Sequence, residues 1–383
     1  MKLFFAHAIL LVGCSRSEGP PHPEEFAPST ARKVEQRAPS RAELELAASA
    51  ANARPAASLA APIASAVIEI RERALSLAAP PLLPRHLAFG KGFVLQVGSS
   101  ETIVRNSSTG QELARCPLKE PRAATGLPGG SALVLALDGS FRFDPGQTRP
   151  HKLSRLSLLP GFVVEPRRDR QDVIWVLQAK RLQSYSLAAD ADLGLPSERE
   201  LPDFDGRAVT TLRDGSLLYT AEEGTALVHS RGFGSLQTYR LPGAGPIWRL
   251  AAADRIDRAW VVRASGEIQL VGLSPRLDVA KLVQTGLKPF DFASSPTGFA
   301  LVSVREQPGE PREFALHVFT LAGTQTYSHS LGTVPVTSDP DWAAQASKDR
   351  EVVIGDHPLR VAVGGSHSLR VFDFASGNEL FTR

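Results

Sequence analysis

Cysteine is scarce in this chain: Cys14 and Cys116 are the only two in 383 residues. An excess of one charge is missing too. Lys and Arg number 43 against 40 Asp and Glu, so nothing draws the chain strongly to phosphate, which argues against a polybasic nucleic-acid binder; no nucleic-acid partner is expected. Beyond the first dozen residues no apolar run is long enough to cross a bilayer as a helix. The nine histidines are scattered, and none forms H-x-H or H-E-x-x-H. His317 and His329 can face each other across one hairpin, yet two ligands without a third do not make a zinc site. No G-x-S-x-G elbow, G-x-G-x-x-G loop or Walker pattern is present. Gly232-Phe233-Gly234-Ser235 reads as a turn between strands. Pro246 removes an N–H that a phosphate cradle at Gly243-Ala244-Gly245 needs. The sequence offers no catalytic set, no metal site and no cofactor site.

What is present begins at the first residue. Lys2 is followed by a short apolar run, Leu3 to Val12, then by Gly13-Cys14. The run is too short to span a bilayer and sits where the core of a secretory signal sits. Its ending, Leu11-Val12-Gly13-Cys14, resembles the lipobox of bacterial lipoproteins. That resemblance implies a signal peptide over 1–13, cleavage before Cys14, and lipid attachment at Cys14 through its thiol and new amino end. Cys116 is then left without a disulfide partner and reads as a buried, inert thiol. The acyl chains become the only membrane attachment, and three chains exceed what stable anchoring needs. Ser15 stands where an Asp would retain an enterobacterial lipoprotein at the inner membrane. The resemblance thus implies an exported protein of the cell envelope, at the outer membrane.

Residues 14–84 form a tether rich in Ala, Pro, Ser, Glu and Arg, whose composition favours disorder. Two short helices are expected in it. Ser40-Arg41-Ala42-Glu43 reads as a capping box opening a helix over 41–53, which Pro55 stops. Pro62 suits the first turn of a second helix over 62–78, where Ile63, Val67, Ile70 and Ala74 make one apolar stripe. Fully extended, the tether reaches roughly 230 Å.

From Arg85 the helical period gives way to short β-rich runs separated by Gly, Asp, Pro and Ser, the pattern of an all-β domain over 85–383. A repeat is visible. Seven nearly continuous apolar runs recur: 93–97, 132–137, 173–177, 217–219, 259–262, 299–304 and 360–363. Each reads as a strand buried on both faces and is followed by a turn and a more amphipathic strand. Most are preceded by a further strand candidate. The first and last units align well. Val104-Arg105-Asn106-Ser107-Ser108-Thr109-Gly110-Gln111-Glu112-Leu113 and Val371-Phe372-Asp373-Phe374-Ala375-Ser376-Gly377-Asn378-Glu379-Leu380 both read V-x-[DN]-x-x-[ST]-G-x-E-L. The Asp or Asn opens the turn through its side chain and Gly closes it in the left-handed region. Four strands every 40–45 residues or so are the signature of a β-propeller. Spacing favours seven four-stranded blades, and the long last unit, 331–383, leaves six or eight open. A pair of β-sandwiches is the alternative. The turn resembles the repeat of quinoprotein-like and WD-like propellers, although no WD dipeptide is present. The resemblance implies the fold. A quinone would need a tryptophan-rich repeat, whereas this chain has four tryptophans, of which Trp175 and Trp260 read as core.

In a propeller the innermost strands begin around one mouth of the central channel. Those starts carry Arg85, Arg122, Arg207, Arg249, Phe290, Asp291 and Trp342. Arginines converging there make a positive funnel that favours an anion or an acidic partner; splayed outward, they are ordinary solvated charge. Taken together, these features lead to a lipid-anchored, non-enzymatic binding or scaffold protein, with a protein partner or an anionic or glycan ligand. Its leader and fold class are similar to those of the propeller lipoprotein of the outer-membrane β-barrel assembly machinery, whose regular repeat motif is not matched. The alternative is an envelope hydrolase or dehydrogenase working at the channel mouth.

Overall fold

The computed structural model describes residues 85–383, except 128, 154–161, 165–172, 179–180, 187–196, 232–234, 254, 256, 274–275, 337–341 and 357. The leader with Cys14, the tether and its two expected helices lie outside the described residues.

Twenty-eight strands form seven antiparallel sheets of four. Blade 1 is β1 (Leu87–Gly90), β2 (Phe93–Val97), β3 (Glu101–Asn106) and β4 (Glu112–Pro117). Blade 2 is β5 (Pro121–Gly126), β6 (Ala132–Ala136), β7 (Gly139–Phe143) and β8 (His151–Leu153). Blade 3 is β9 (Phe162–Val164), β10 (Val173–Gln178), β11 (Arg181–Ser186) and β12 (Ser197–Glu200). Blade 4 is β13 (Phe204–Thr211), β14 (Leu217–Ala221), β15 (Ala226–Arg231) and β16 (Ser235–Arg240). Blade 5 is β17 (Ile247–Ala252), β18 (Arg258–Arg263), β19 (Glu267–Gly272) and β20 (Asp278–Gln284). Blade 6 is β21 (Pro289–Ser295), β22 (Gly298–Arg305), β23 (Arg312–Thr320) and β24 (Gln325–Val334). A short helix, α1 (Trp342–Ser347), precedes blade 7: β25 (Glu351–Asp356), β26 (Leu359–Gly364), β27 (Leu369–Asp373) and β28 (Glu379–Thr382).

The first strand of each blade touches the first strand of the next, from β1 through β5, β9, β13, β17, β21 and β25 and back to β1. That cycle makes the chain a single seven-bladed β-propeller with the first strands innermost. The seven apolar runs of the sequence are the second strands. Every residue of β2, β6 and β14 is buried, as befits a strand sandwiched between neighbouring blades. The outermost strands alternate or face water, as in β20, where Val283 alone is buried.

The cores lie between blades, one per junction. Trp260 of blade 5 packs on Phe299 of blade 6 at 5.2 Å between ring centroids, and both are fully buried. Each such side chain contributes about 1.5–3 kcal/mol by its burial. At the junction of blades 7 and 1, Leu87 and Val94 pack with Ala362, Leu369, Val371 and Phe381.

The repeated turn works as its residues dictate. Asn106 Oδ1 accepts from the N–H groups of Ser108 (2.8 Å) and Thr109 (3.1 Å), and Gly110 N–H donates to the Asn106 carbonyl. In blade 7, Asp373 Oδ1 accepts from Ala375 and Ser376, and Gly377 N–H donates to the Asp373 carbonyl. Both glycines have positive φ, 68° and 73°. They also seat a ring of the preceding blade. A Cβ on Gly110 would lie 2.6 Å from Phe381, and one on Gly377 would lie 2.6 Å from Tyr327. Gly323 of blade 6 meets Val283 of blade 5 in the same way, a third instance that no motif marks.

All four strands of the first and last blades are consecutive in sequence. Among the described residues no strand is exchanged to close the ring. Side chains close it instead, and they gather at one mouth of the channel.

Candidate binding face at the channel mouth

The front face of the ring is the one where the inner strands begin. Three of those strands carry an irregularity at their second residue: Pro121/Ala123, Ile247/Arg249 and Pro289/Asp291. An extra residue in one strand re-aims its neighbours. Arg249 and Asp291 thereby occupy equivalent places on blades 5 and 6.

Arg85 stands just before β1. Its Nη1 donates to Asp291 Oδ2 at 3.1 Å and to the Val352 carbonyl at 2.8 Å; Nη2 donates to the Phe292 carbonyl at 3.2 Å and to Asp291 Oδ1 at 3.4 Å. Asp291 Oδ2 also accepts from Val352 N–H at 2.7 Å. One guanidinium and one carboxylate thus join blades 1, 6 and 7. Beside them lies Glu351, the first residue of β25. Its carboxylate accepts from the N–H groups of His86 (2.6 Å) and Leu87 (3.1 Å) and pairs with His86 Nδ1 at 2.7 Å. Burial pushes the Glu351 carboxyl up from its ordinary range, against the bonds from His86 and the charge of Arg85. Gln96 Nε2 donates to the Gly365 carbonyl at 2.9 Å; at the opposite end of the strands, Arg360 Nη1 donates to Ser107 Oγ at 2.8 Å across the same seam.

Arg249 is different. Its guanidinium lies over the Trp248 ring at 4.3 Å. It keeps part of its solvent contact, yet protein encloses it and pushes its pKa down to about 10; Asp291 opposes that shift and Arg85 adds to it. Arg85, Arg249 and Asp291 are therefore one electrostatic group. Arg122 and Arg207 stand apart from it, each beside a carboxylate of its own segment: Arg122 with Glu120 at 3.5 Å and Arg207 with Asp205 at 4.0 Å. Trp342 lies on α1 rather than at a strand start. It stacks on Phe290 at 6.3 Å and carries the Arg312 guanidinium at 3.9 Å. Phe290 meets Phe314 edge-on, and the Arg350 guanidinium lies over Phe314 at 4.5 Å. No sequence motif marks His86 or Glu351. The signal available was a glutamate opening an apolar strand, Glu351-Val352-Val353-Ile354, where a buried carboxylate needs donors.

Among the described residues no three His, Cys, Asp or Glu side chains are grouped to hold a metal ion, and no helix is long and apolar enough to cross a membrane. His317 and His329 do not face each other: His329 is registered with Leu316, so the two rings take opposite sides of the sheet. His317 Nε2 meets Ser303 Oγ at 2.9 Å, and His329 Nε2 donates to the Gly377 carbonyl at 2.8 Å.

One serine–histidine contact resembles a hydrolase pair in its parts. His229 Nε2 lies 2.8 Å from Ser216 Oγ, which lies 2.5 Å from Asp214 Oδ1. The serine has one proton, and Asp214 Oδ1 accepts it as it accepts the Ser216 N–H. The Ser216 hydroxyl therefore donates to Asp214 and accepts from His229 Nε2–H. This imidazole is a donor to the serine, not its base, and among the described residues Nδ1 has no hydrogen-bond partner. The chain braces a turn.

The sequence matches no family model and no curated protein. Its likeness is to solved propellers. Kluyveromyces lactis Hsv2 superposes with a TM-score of 0.50 at 11% identity, over 78% of this chain and 97% of that one. The β-propeller domain of Myceliophteria thermophila Cps50 (Swd1) gives 0.50 at 12% identity, over 75% and 95%. Chaetomium thermophilum Raptor gives 0.52 at 11% identity, over 74% of this chain and 27% of that one. At such identities the likeness is one of fold, and the chain takes its place among propellers by architecture alone.

Proposed function

We propose that this protein is a lipid-anchored propeller of the cell envelope that binds a partner on its front face and catalyses no reaction. One observation carries the reading. The carboxylates and guanidinium groups at the mouth join blades, with Arg85 held by Asp291 and His86 by Glu351. Groups bonded in this way make a rigid rim, suited to recognition. Around that rim Arg122, Arg207, Arg249 and Trp342 supply charge and aromatic surface for a protein, or for an anionic or glycan ligand. Cys14, acylated after removal of residues 1–13, holds the ring at the outer membrane through the tether 14–84. The tether sets the reach, and the ring presents the surface.

The test is labelled-palmitate incorporation and membrane sedimentation for wild type and Cys14→Ala, with chemical crosslinking of native envelope. The reading expects label and sedimentation for wild type only, and a defined partner whose recovery falls in Cys14→Ala. A Cys14→Ala protein that stays on the membrane with an unchanged partner set contradicts it.

A further inference from the structure

Charge at the mouth is matched group by group until Arg249. Asp291 is taken by Arg85 and the Val352 N–H. Glu351 is taken by His86 and the Leu87 N–H. Arg249 has no carboxylate within salt-bridge distance among the described residues. Its hydrogen bond, from Nη1 to the Trp248 carbonyl, is long at 3.4 Å. Asp291, its acidic neighbour, cannot turn to it without leaving another buried donor unpaired, which is costly. The Trp248 ring covers one face of the guanidinium at 4.3 Å. Stacking uses the face of the fork and leaves its edge, where the N–H groups point, for in-plane acceptors.

Resting on the reading of this face as a binding surface, we propose that the channel mouth binds a carboxylate, bidentate on the edge of Arg249. A carboxylate fits better than a phosphate for two reasons. One fork is left over, and it matches one planar monoanion. A dianion would need a second cation, yet Arg85 is committed to Asp291 and two carbonyls, and Asp291 would repel the extra charge. The carboxylate belongs either to an acidic side chain on a partner's loop or to a small free acid, and the same fork serves both.

The test is calorimetric titration of the full-length protein in detergent. The probes are a capped tetraglutamate peptide, succinate, a capped tetraglutamine peptide and inorganic phosphate. The expected result is binding of one or both carboxylate probes, with tetraglutamine silent and phosphate weaker. Binding of the peptide alone assigns the site to a protein loop, and binding of succinate alone to a small acid. R249Q should weaken the carboxylate by roughly tenfold or more, and R240Q, on the outer strand of blade 4 and paired with Glu222, should leave it unchanged. If R249Q does not fold, R249K decides. It keeps the charge and loses the fork, and equal binding by it overturns the proposal. So do equal binding by a folded R249Q, phosphate binding as tight as carboxylate, or no carboxylate binding by the wild type. Crosslinking separates the two readings. A partner captured by a protein that binds no carboxylate ends this proposal alone, whereas carboxylate binding without any partner ends the scaffold reading and leaves the site standing.

Discussion

Arg85 Nη1 donates to Asp291 Oδ2 at 3.1 Å although 206 residues separate them in the chain. The pair joins the first blade to the sixth and reaches the seventh through Val352. In a ring closed without strand exchange, it takes over part of the work that a shared strand would do. Its side chains are about 20% and 11% exposed, so breaking it leaves a largely desolvated charge. Asp291→Ala is expected to lower stability by about 2–4 kcal/mol, somewhat below the range for a fully buried pair. In a double-mutant cycle with Arg85→Met, denaturant unfolding should give a coupling of about 1–3 kcal/mol. Strictly additive losses would show that the seam does not depend on this pair.

The turn glycines allow a controlled comparison. Gly377 has positive φ and its missing Cβ would lie 2.6 Å from the Tyr327 ring, whereas Gly309, with φ of 79°, has nothing within 4 Å. Gly309→Ala should cost about 1–2 kcal/mol for backbone conformation alone. Gly377→Ala should cost that plus about 1–3 kcal/mol for the clash. Thermal unfolding of the two variants checks the difference, and equal costs would refute the packing role of the turn.

The fold was legible where chemistry is local. Seven apolar runs became seven second strands because burial on both faces removes the need for alternation. Asn106 and Asp373 marked turns because their side chains cap the backbone two and three residues on. Contacts between blades were hidden, since alternation tells which face of a strand is buried and not which blade covers it. The sequence therefore grouped four arginines, whereas the structure gathers Arg85 and Arg249 around Asp291 and gives Arg122 and Arg207 neighbours of their own. Glu351 went unnoticed because its partner, His86, lies at the far end of the ring's sequence. The sequence puts Trp342 at a strand start, because nothing in an Asp-Trp-Ala-Ala run fixes where α1 ends and β25 begins.

The pH dependence follows from two histidines, His229 buried and His317 half-buried. Burial lowers the pKa of His229, against the pull of Asp214, and lowers that of His317, against its bond to Gln325. A histidine with a depressed native pKa binds its proton more readily when unfolded. Its contribution to stability is present above the unfolded value of roughly 6.5 and is lost as pH falls through the window below it. Glu351 has the opposite sign: with its pKa raised in the fold, its contribution falls as pH rises through the native value. His229→Asn should flatten the decline in stability on acidification below roughly pH 6.5. An unchanged slope in denaturant titrations at several pH values would refute this.

Thiol counting tests the two cysteines together. Cys116 is about 7% exposed, and burial raises its thiol pKa, so it should resist alkylation in the native protein. Protein isolated from its own membrane should yield one reactive thiol after denaturation, from Cys116, because Cys14 is acylated. Two reactive thiols would contradict the anchor.

The most direct measurement is site-specific photocrosslinking in intact envelope from the two faces of the ring. A photoreactive residue at position 122 reports from the front face, beside the mouth. One at position 91, in the β1–β2 turn, reports from the opposite face. The account predicts one defined protein crosslinked from position 122 and not from position 91, with the yield falling when Cys14 is replaced by alanine. Crosslinks from position 91 alone, or no defined adduct from either position in a folded, membrane-bound protein, would contradict it.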